Sequence, residues 1–487
     1  MTAASNGRSP ARTLSASSLE AHTWLGLAIS AAMYLICLSG ALAVFNQEFE
    51  RWEQPAIAEE SAIDAQKAGG ALRAFVDRYG VDTEHFHVVF PTSGIPRLVV
   101  EDDHRAHFVN QDGSLGSEES SPWSKMLIEL HYYLHLPHTL GIILVSACGA
   151  MLLALILSGV FAHSRIIKDA FRLRLGGTGA QQRIDLHNRL SVWGLPFHLM
   201  ISFTGAYYGL VGVLLVVTAQ AFYDGDTVAV AETVFTPEPK NLGLMNGEVP
   251  DIERAIEYVV KEDSTGKPVF LTIHEPGTPS EFIEIYVQQQ GRLIYAENYR
   301  FDGAGKFIGT SGYSDGEMGK QIVYSLYRIH FGDFAGLATK WLYFALGMML
   351  TVIAATGVDV WLAKRKRVTA LNTLWPAFVW GAPIALTVSA ASTILLDSSG
   401  AASFWGSLVV VLVVAGRWPA ETVAHRLRIA LAVALLALLA LHTVSNGTHT
   451  LSAAAWPVNA SLLLTLGALA FWCRPRRRNA DLIAATE

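Results

Sequence analysis

Sixteen histidines run through the 487 residues, and a subset of them sits where imidazole chemistry is expensive to ignore. His22, His163 and His187 fall at one end of long apolar runs, and His131, His135, His138 and His330 fall near the other end. His198 lies about 10 Å inside a run that begins near Leu190. In LHNRLSVWGLPFHLMISFTG, residues 186–205, His187 and His198 are eleven positions apart. On one continuous helix that is about three turns, so both rings leave the same face about 16 Å apart. A titratable side chain inside a membrane span is a functional candidate by default. Carboxylates are nearly absent from these runs, which argues against a proton relay or a divalent-cation channel. Paired neutral imidazoles from different helices, without acidic or thiolate partners, suit a haem iron. One imidazole approaches from each side, and the flat macrocycle fills an apolar slot. The remaining histidines read as ordinary. His85, His87, His104, His107 and His274 lie in polar segments, His425 in a basic loop, and His442 and His449 beside an outer loop.

Positioning such rings requires spans. The chain is 51% hydrophobic and 16% charged, well under the usual charge content of soluble domains. Eight apolar stretches suit a bilayer core of about 30 Å: 23–46, 139–162, 190–219, 341–363, 374–396, 402–416, 428–445 and 456–473, the sixth being short. Basic residues alternate between loops. Arg8 and Arg12 precede the first span, and Arg165, Lys168, Arg172, Arg174 and Arg183 separate the second from the third. Lys364–Arg367 follow the fourth, Arg417, Arg426 and Arg428 follow the sixth, and Arg474–Arg478 follow the last. With eight spans, every basic cluster and both termini are cytoplasmic. The first run resembles a secretory signal in outline, but it is long enough to span. Cys37, Cys148 and Cys473 carry no CxxC or CxxCH pattern, so covalent c-type haem attachment is not expected.

The spans repeat. His22 precedes Gly40 of LSGA by eighteen residues, as His187 precedes Gly205 of FTGA. His131 precedes Gly159 of LSGV by 28, and His330 precedes Gly357 of ATGV by 27. The order span–module–span therefore occurs twice in the same direction, a parallel duplication. The modules, about 47–138 and 220–336, each read as a helix followed by short strands with DG turns, a small α+β unit outside the membrane. VNQDGSLG and RFDGAGKFIG look like copies of one hairpin. The fold class expected is an all-α polytopic membrane protein of about eight transmembrane helices carrying two small extracytoplasmic modules. Its parts are a tail at 1–21, a first repeat at 22–163, a basic loop at 164–186, a second repeat at 187–367 and four further helices with a basic tail at 368–487. Glycines such as Gly26, Gly149 and Gly209 allow a planar cofactor close to the backbone, or serve plain helix packing.

At these residues the chain resembles a known family. AHTWLGL…LSGALAVFNQEFERWEQP, LHYYLHLP…LSGVFAHSRIIKD, DLHNRLSVWGLPFHLMISFTG and LYRIHFGDFAG…ATGV, in that order, are similar to the PepSY-associated transmembrane proteins. The resemblance spans residues 18–367 and makes the modules PepSY-like. It implies an iron-regulated bacterial inner-membrane protein with two b-type haems, akin to ferric-siderophore reductases. Electrons would pass from a cytoplasmic or quinol donor to a periplasmic ferric siderophore or other iron chelate. Carried onto this chain, it implies His22 and His187 for an inner haem and His131 and His330 for an outer one. His135 competes with His131, being one turn further on. His198 competes with His187 or stands between the haems, and His163 is a further alternative. The lipid bilayer is the surrounding partner, and no nucleic-acid partner is expected.

Two rival classes remain at this point. One is a non-redox PepSY binding or regulatory protein, and the other a transporter of iron, haem or another small solute. GGTGAQQR at 176–183 lacks the ending of a phosphate-binding loop, and no flavin or nicotinamide fingerprint appears, so any electron donor is a separate molecule.

Overall fold

The computed structural model describes residues 10–162, 165–171, 179–240, 242, 250–365, 367–396 and 399–473. His163, Arg172, Arg174 and the basic segment 474–478 lie outside the described residues.

The first repeat is helix α1 (Pro10–Ala43), α2 (Asn46–Glu53), α3 (Ala65–Tyr79), strands β1 (His85–Val89), β2 (Val99–Asp102), β3 (Ala106–Val109) and β4 (Leu115–Glu118), then α4 (Pro122–Tyr133) and α5 (His138–Ala162). Short α6 (Ile166–Ala170) leads to the second repeat. It contains α7 (Gly179–Trp193), α8 (Leu195–Phe222), α9 (Thr227–Val234), α10 (Ile252–Glu262), β5 (Lys267–His274), β6 (Phe282–Gln288), β7 (Glu297–Asp302), β8 (Phe307–Thr310), α11 (Met318–Phe331) and α12 (Gly336–Ala363). Four more helices follow: α13 (Leu371–Leu396), α14 (Ala401–Ala415), α15 (Ala420–Asn446) and α16 (Trp456–Cys473).

Seven helices among the described residues are long and apolar enough to cross a membrane. The exception among the eight expected stretches is α14. Its 15 residues reach only about 22 Å at 1.5 Å per residue, short of the hydrocarbon core. The third expected span is also not one rod. Gly194 separates α7 from α8, and Pro196 at the start of α8 has no amide to continue the ladder. His187 and His198 therefore do not share one continuous helix, the break falling at Gly194.

The two helix-plus-strand modules form one body rather than two. All eight strands lie in a single antiparallel sheet of order β4-β3-β2-β1-β5-β6-β7-β8. The repeats join where β1 pairs β5, with His85 opposite His274 and Val88 opposite Leu271. One sheet face is apolar because alternate residues point the same way. Phe86, Val88, Leu271, Ile273, Ile283 and Ile285 are buried there against Leu72 and Phe75 of α3 and Ile256 and Val259 of α10. Both helices begin alike: Asp64 accepts from the Lys67 amide and Asp251 from the Arg254 amide. The two DG segments are matching hairpins, with Gly113 and Gly305 in the left-handed region that the turn requires.

The last four helices pack on the first repeat. Pro383 inside α13 cannot donate to the Val379 carbonyl, and the freed oxygen accepts from the Tyr34 hydroxyl of α1 at 2.6 Å. Trp52 of α2 donates to Asn459 of α16 at 2.9 Å and stacks on His442, which bonds the Trp52 carbonyl at 3.0 Å. His442 is thus a buried helix-to-helix tie.

Candidate functional site

Four histidines meet in two pairs at opposite ends of the repeat bundle. His22 of α1 and His187 of α7 have ring centres 6.4 Å apart, and His131 of α4 and His330 of α11 have ring centres 6.3 Å apart. A metal–imidazole bond is about 2 Å and the nitrogen lies about 1.1 Å from its ring centre. Two imidazoles on opposite sides of one ion therefore put their centres about 6.3 Å apart. Both pairs stand at that separation.

The local sequence explains how the rings get there. Each histidine lies against the glycine of a Ser/Thr-Gly pair on another span. A methyl group on Gly40 would come within 2.5 Å of the His131 ring, and one on Gly159 within 3.1 Å of His22. The corresponding approaches are 3.3 Å for Gly205 to His330 and 3.5 Å for Gly357 to His187. Gly40 is thus sterically required, Gly159 and Gly205 are tight, and Gly357 is in ordinary contact.

The same turns settle which ring nitrogen carries the proton. His131 Nδ1 lies 2.9 Å from the Ile36 carbonyl and His22 Nδ1 lies 3.0 Å from that of Leu155. A carbonyl only accepts, so these nitrogens donate. His330 Nδ1 lies 2.8 Å from the Thr204 hydroxyl and His187 Nδ1 3.2 Å from that of Thr356. Each hydroxyl gives its own hydrogen to a carbonyl one turn back, Thr204 to Met200 at 2.9 Å and Thr356 to Val352 at 2.7 Å. It is left to accept from the imidazole. All four rings therefore hold their proton on Nδ1 and keep a lone pair on Nε2, the arrangement that orients a metal-ligating histidine.

Each pair opens on an apolar cavity. The outer cavity, about 360 Å³, is lined by His131 and His330 with Gly40, Gly205, Tyr327 and Phe331. The inner cavity, about 470 Å³, is lined by His22 and His187 with Gly159, Gly357, His198 and Lys364. Met33, Cys37, Leu152 and Leu350 line both, so the cavities abut in mid-bundle. Among the described residues, no group of three or more histidine, cysteine or acidic side chains stands ready for a bare metal ion. Two opposed imidazoles in an apolar slot suit a group that brings its own four in-plane donors, and a haem fits both places on these observations.

The other candidates fall differently. His135 uses both nitrogens: Nδ1 accepts from the Trp405 indole at 3.0 Å, and Nε2 donates to the Met126 carbonyl at 2.9 Å. It has no lone pair left and fastens α4 to α14. His198 does line the inner cavity despite the helix break, but it is not in ring contact with His22 or His187. Its Nε2 is buried without a hydrogen-bond partner, packed against Gly194. Sequence reasoning passed over His85, His87 and His274 as surface residues, and the β1–β5 junction brings them together.

Fold and site together define a multi-pass membrane protein with a duplicated core that presents two opposed histidine pairs. The chain belongs to the family described as the PepSY-associated TM region, whose model matches residues 19–364. It is similar to an uncharacterized protein of Pseudomonas aeruginosa, 29% identical over 318 residues that cover 61% of this chain and 76% of that protein.

Proposed function

We propose that this chain is an inner-membrane haem b oxidoreductase that carries electrons across the bilayer to a periplasmic ferric siderophore or other ferric chelate, releasing ferrous iron. The observation that carries this reading is the two imidazole pairs, with ring centres 6.4 and 6.3 Å apart, each with Nδ1 satisfied and Nε2 left to hold a haem iron. His22 and His187 would hold the inner haem and His131 and His330 the outer one. Bound haem supplies reversible one-electron chemistry at a potential set by its axial ligands and surroundings.

The chain's own residues do the rest. Thr204, Thr356 and the carbonyls of Leu155 and Ile36 keep the rings oriented and Nδ1-protonated. Gly40 and Gly205 let the outer rings sit close to the backbone. The Tyr343 hydroxyl donates to the Ile329 carbonyl at 2.7 Å, which fixes α11 and hence His330 against α12. Tyr327 and Phe331, stacked 4.3 Å apart, form the outer cavity's aromatic edge. Basic residues Arg165, Lys168, Lys364 and Arg365 sit at the inner-pair end, so the positive-inside rule puts His22 and His187 at the cytoplasmic face and the sheet in the periplasm.

The test is a dithionite-reduced minus oxidised spectrum of the purified full chain, with pyridine haemochrome quantification. Sharp α-bands and two haems per chain are expected. A colourless, folded preparation from haem-replete cells would overturn the reading.

A further inference from the structure

The sheet's second face, turned away from α3 and α10, carries a histidine cluster at the junction of the two repeats. His85 and His274 are directly opposed across β1 and β5, with ring centres 5.3 Å apart and planes at 84°. His87 follows at 5.8 Å from His85, flanked by Thr272 and Glu101 on the neighbouring strands. Two imidazoles on adjacent positions of one ion, at an angle of about 90–110°, put their ring centres about 5 Å apart, against about 6.3 Å for opposite positions. The spacing here is the adjacent kind.

The surroundings have the same sense. His85 Nδ1 lies 3.4 Å from the Asp103 carboxylate, and His87 Nδ1 lies 3.0 Å from the Thr272 hydroxyl. Both contacts leave Nε2 uncommitted, the usual outer support of a metal-binding histidine. His274 Nε2 is buried with no hydrogen-bond partner, 3.6 Å from Glu284 Oε2. Arg300 neutralises Glu284 at 2.7 Å. The Asp103 carboxylate also accepts from the Thr83 hydroxyl at 2.6 Å and the Glu84 amide at 2.9 Å, which fixes it beside His85. Imidazoles beside a fixed carboxylate attract a divalent cation.

The cluster is also continuous with the outer cavity through ring contacts. His87 meets Phe270 at 6.4 Å, Phe270 meets Tyr295 at 6.4 Å, and Tyr295 meets Tyr327 at 4.7 Å. Tyr327 lines the outer cavity beside His330.

We propose that His85 and His274, with His87 beside them, bind a borderline divalent transition-metal ion at the β1–β5 junction. The identity of that ion as ferrous iron rests on the proposed reduction, which releases it at this face; the site itself does not. Among the described residues no group of three or more such ligands converges here, so water or chelate oxygens complete the coordination. Binding displaces water and involves no electron transfer.

Cobalt(II) is the probe, titrated into the detergent-purified full chain and read by its visible absorption and by calorimetry. One saturable site per chain is expected. Affinity should fall at least 10-fold in His85→Ala and in His274→Gln, and stay unchanged in His104→Ala. Intact folding of each variant is checked by its unfolding temperature. Wild-type protein without saturable cobalt binding, or a His85→Ala/His274→Gln double variant that binds like wild type, overturns the proposal. Cobalt binding does not depend on haem, so a colourless chain that binds cobalt sinks the electron-transfer reading alone. A haem-loaded chain that does not bind cobalt sinks this site alone.

Discussion

The inner and outer histidine pairs follow one plan and differ in fit. At the outer pair the two glycine approaches are 2.5 and 3.3 Å, and at the inner pair they are 3.1 and 3.5 Å. The outer cavity is the smaller, about 360 Å³ against about 470 Å³. The outer rings lie at 32° to each other and the inner rings at 85°. The histidines also come from different kinds of element. His131 and His330 ride on short helices, α4 and α11, that precede the spans α5 and α12, whereas His22 and His187 are on the longer helices α1 and α7 at the other end. A duplicated sequence has thus produced a close-fitting site at the sheet end of the bundle and a roomier one at the far end.

Removing ligands breaks the comparison most completely. His131→Ala and His330→Ala should each abolish the same half of the haem content, and His22→Ala and His187→Ala the other half, as read by haemochrome quantification. With haem bound, the two halves should also give distinct low-spin ferric resonance signals, since the inner rings lie at 85° and the outer rings at 32° to each other. His135→Ala should leave both halves in place, because its ring is occupied by Trp405 and Met126. Loss of haem in that variant, with both pairs intact, would show the outer ligand to be wrongly assigned.

The glycines sharpen the difference in fit. Gly40→Ala forces a methyl into the His131 ring and should cost about 1–3 kcal/mol of overpacking with loss of most outer-site haem. Gly159→Ala and Gly205→Ala should cost less, since a shift of a few tenths of an ångström relieves them, and Gly357→Ala should be close to neutral. Equal effects at Gly40 and Gly357 would contradict the geometry.

How much of this could be read from the sequence depends on the range of the interaction. The four histidines and four Ser/Thr-Gly pairs recur at fixed spacings within single repeats, so local pattern exposed them. It also exposed the spans, the two helix-plus-strand modules and their DG hairpins, because each is a matter of periodicity over a few residues. The merger of the modules was hidden. It rests on β1 meeting β5, with His87 and Thr272 185 residues apart in sequence, and an alternating strand does not reveal which edge it will pair. His135 competed with His131 for the same reason: its occupancy depends on Trp405, 270 residues away. The break at Gly194 was visible as Gly-Leu-Pro, but the apolar content on both sides concealed its weight.

Hydroxyl removal should have a middling effect and separate the pairs again. Thr204→Val leaves His330 Nδ1 without an acceptor, an expected loss of about 10–100-fold in haem affinity at the outer site. Ser158→Ala should do little at the inner site, because the Leu155 carbonyl at 3.0 Å, rather than the hydroxyl at 3.4 Å, is the main partner of His22. Competition with apomyoglobin for haem measures both.

Acid should reach the outer site before the inner one, and this is the smallest of the expected effects near neutrality. Burial alone would raise the Glu284 carboxyl, but the adjacent His274, the Arg300 charge and the Tyr286 hydroxyl lower it from 4.5 to about 2. A carboxyl depressed on folding contributes stability above its unfolded value, and that contribution is lost as pH falls from about 4.5 toward about 2. Arg300 also bonds the Pro237 and Thr236 carbonyls at 2.6 and 3.2 Å, and the adjoining Phe235 meets Tyr324 of α11 at 6.1 Å, so Glu284 steadies a segment that packs on α11. Between pH 5 and 3 the outer-site spectrum should therefore change at higher pH than the inner-site spectrum. Glu284→Gln should start from a lower unfolding temperature at pH 7 and lose less on acidification. An inner site that responds first would mean that the sheet does not support the outer pair.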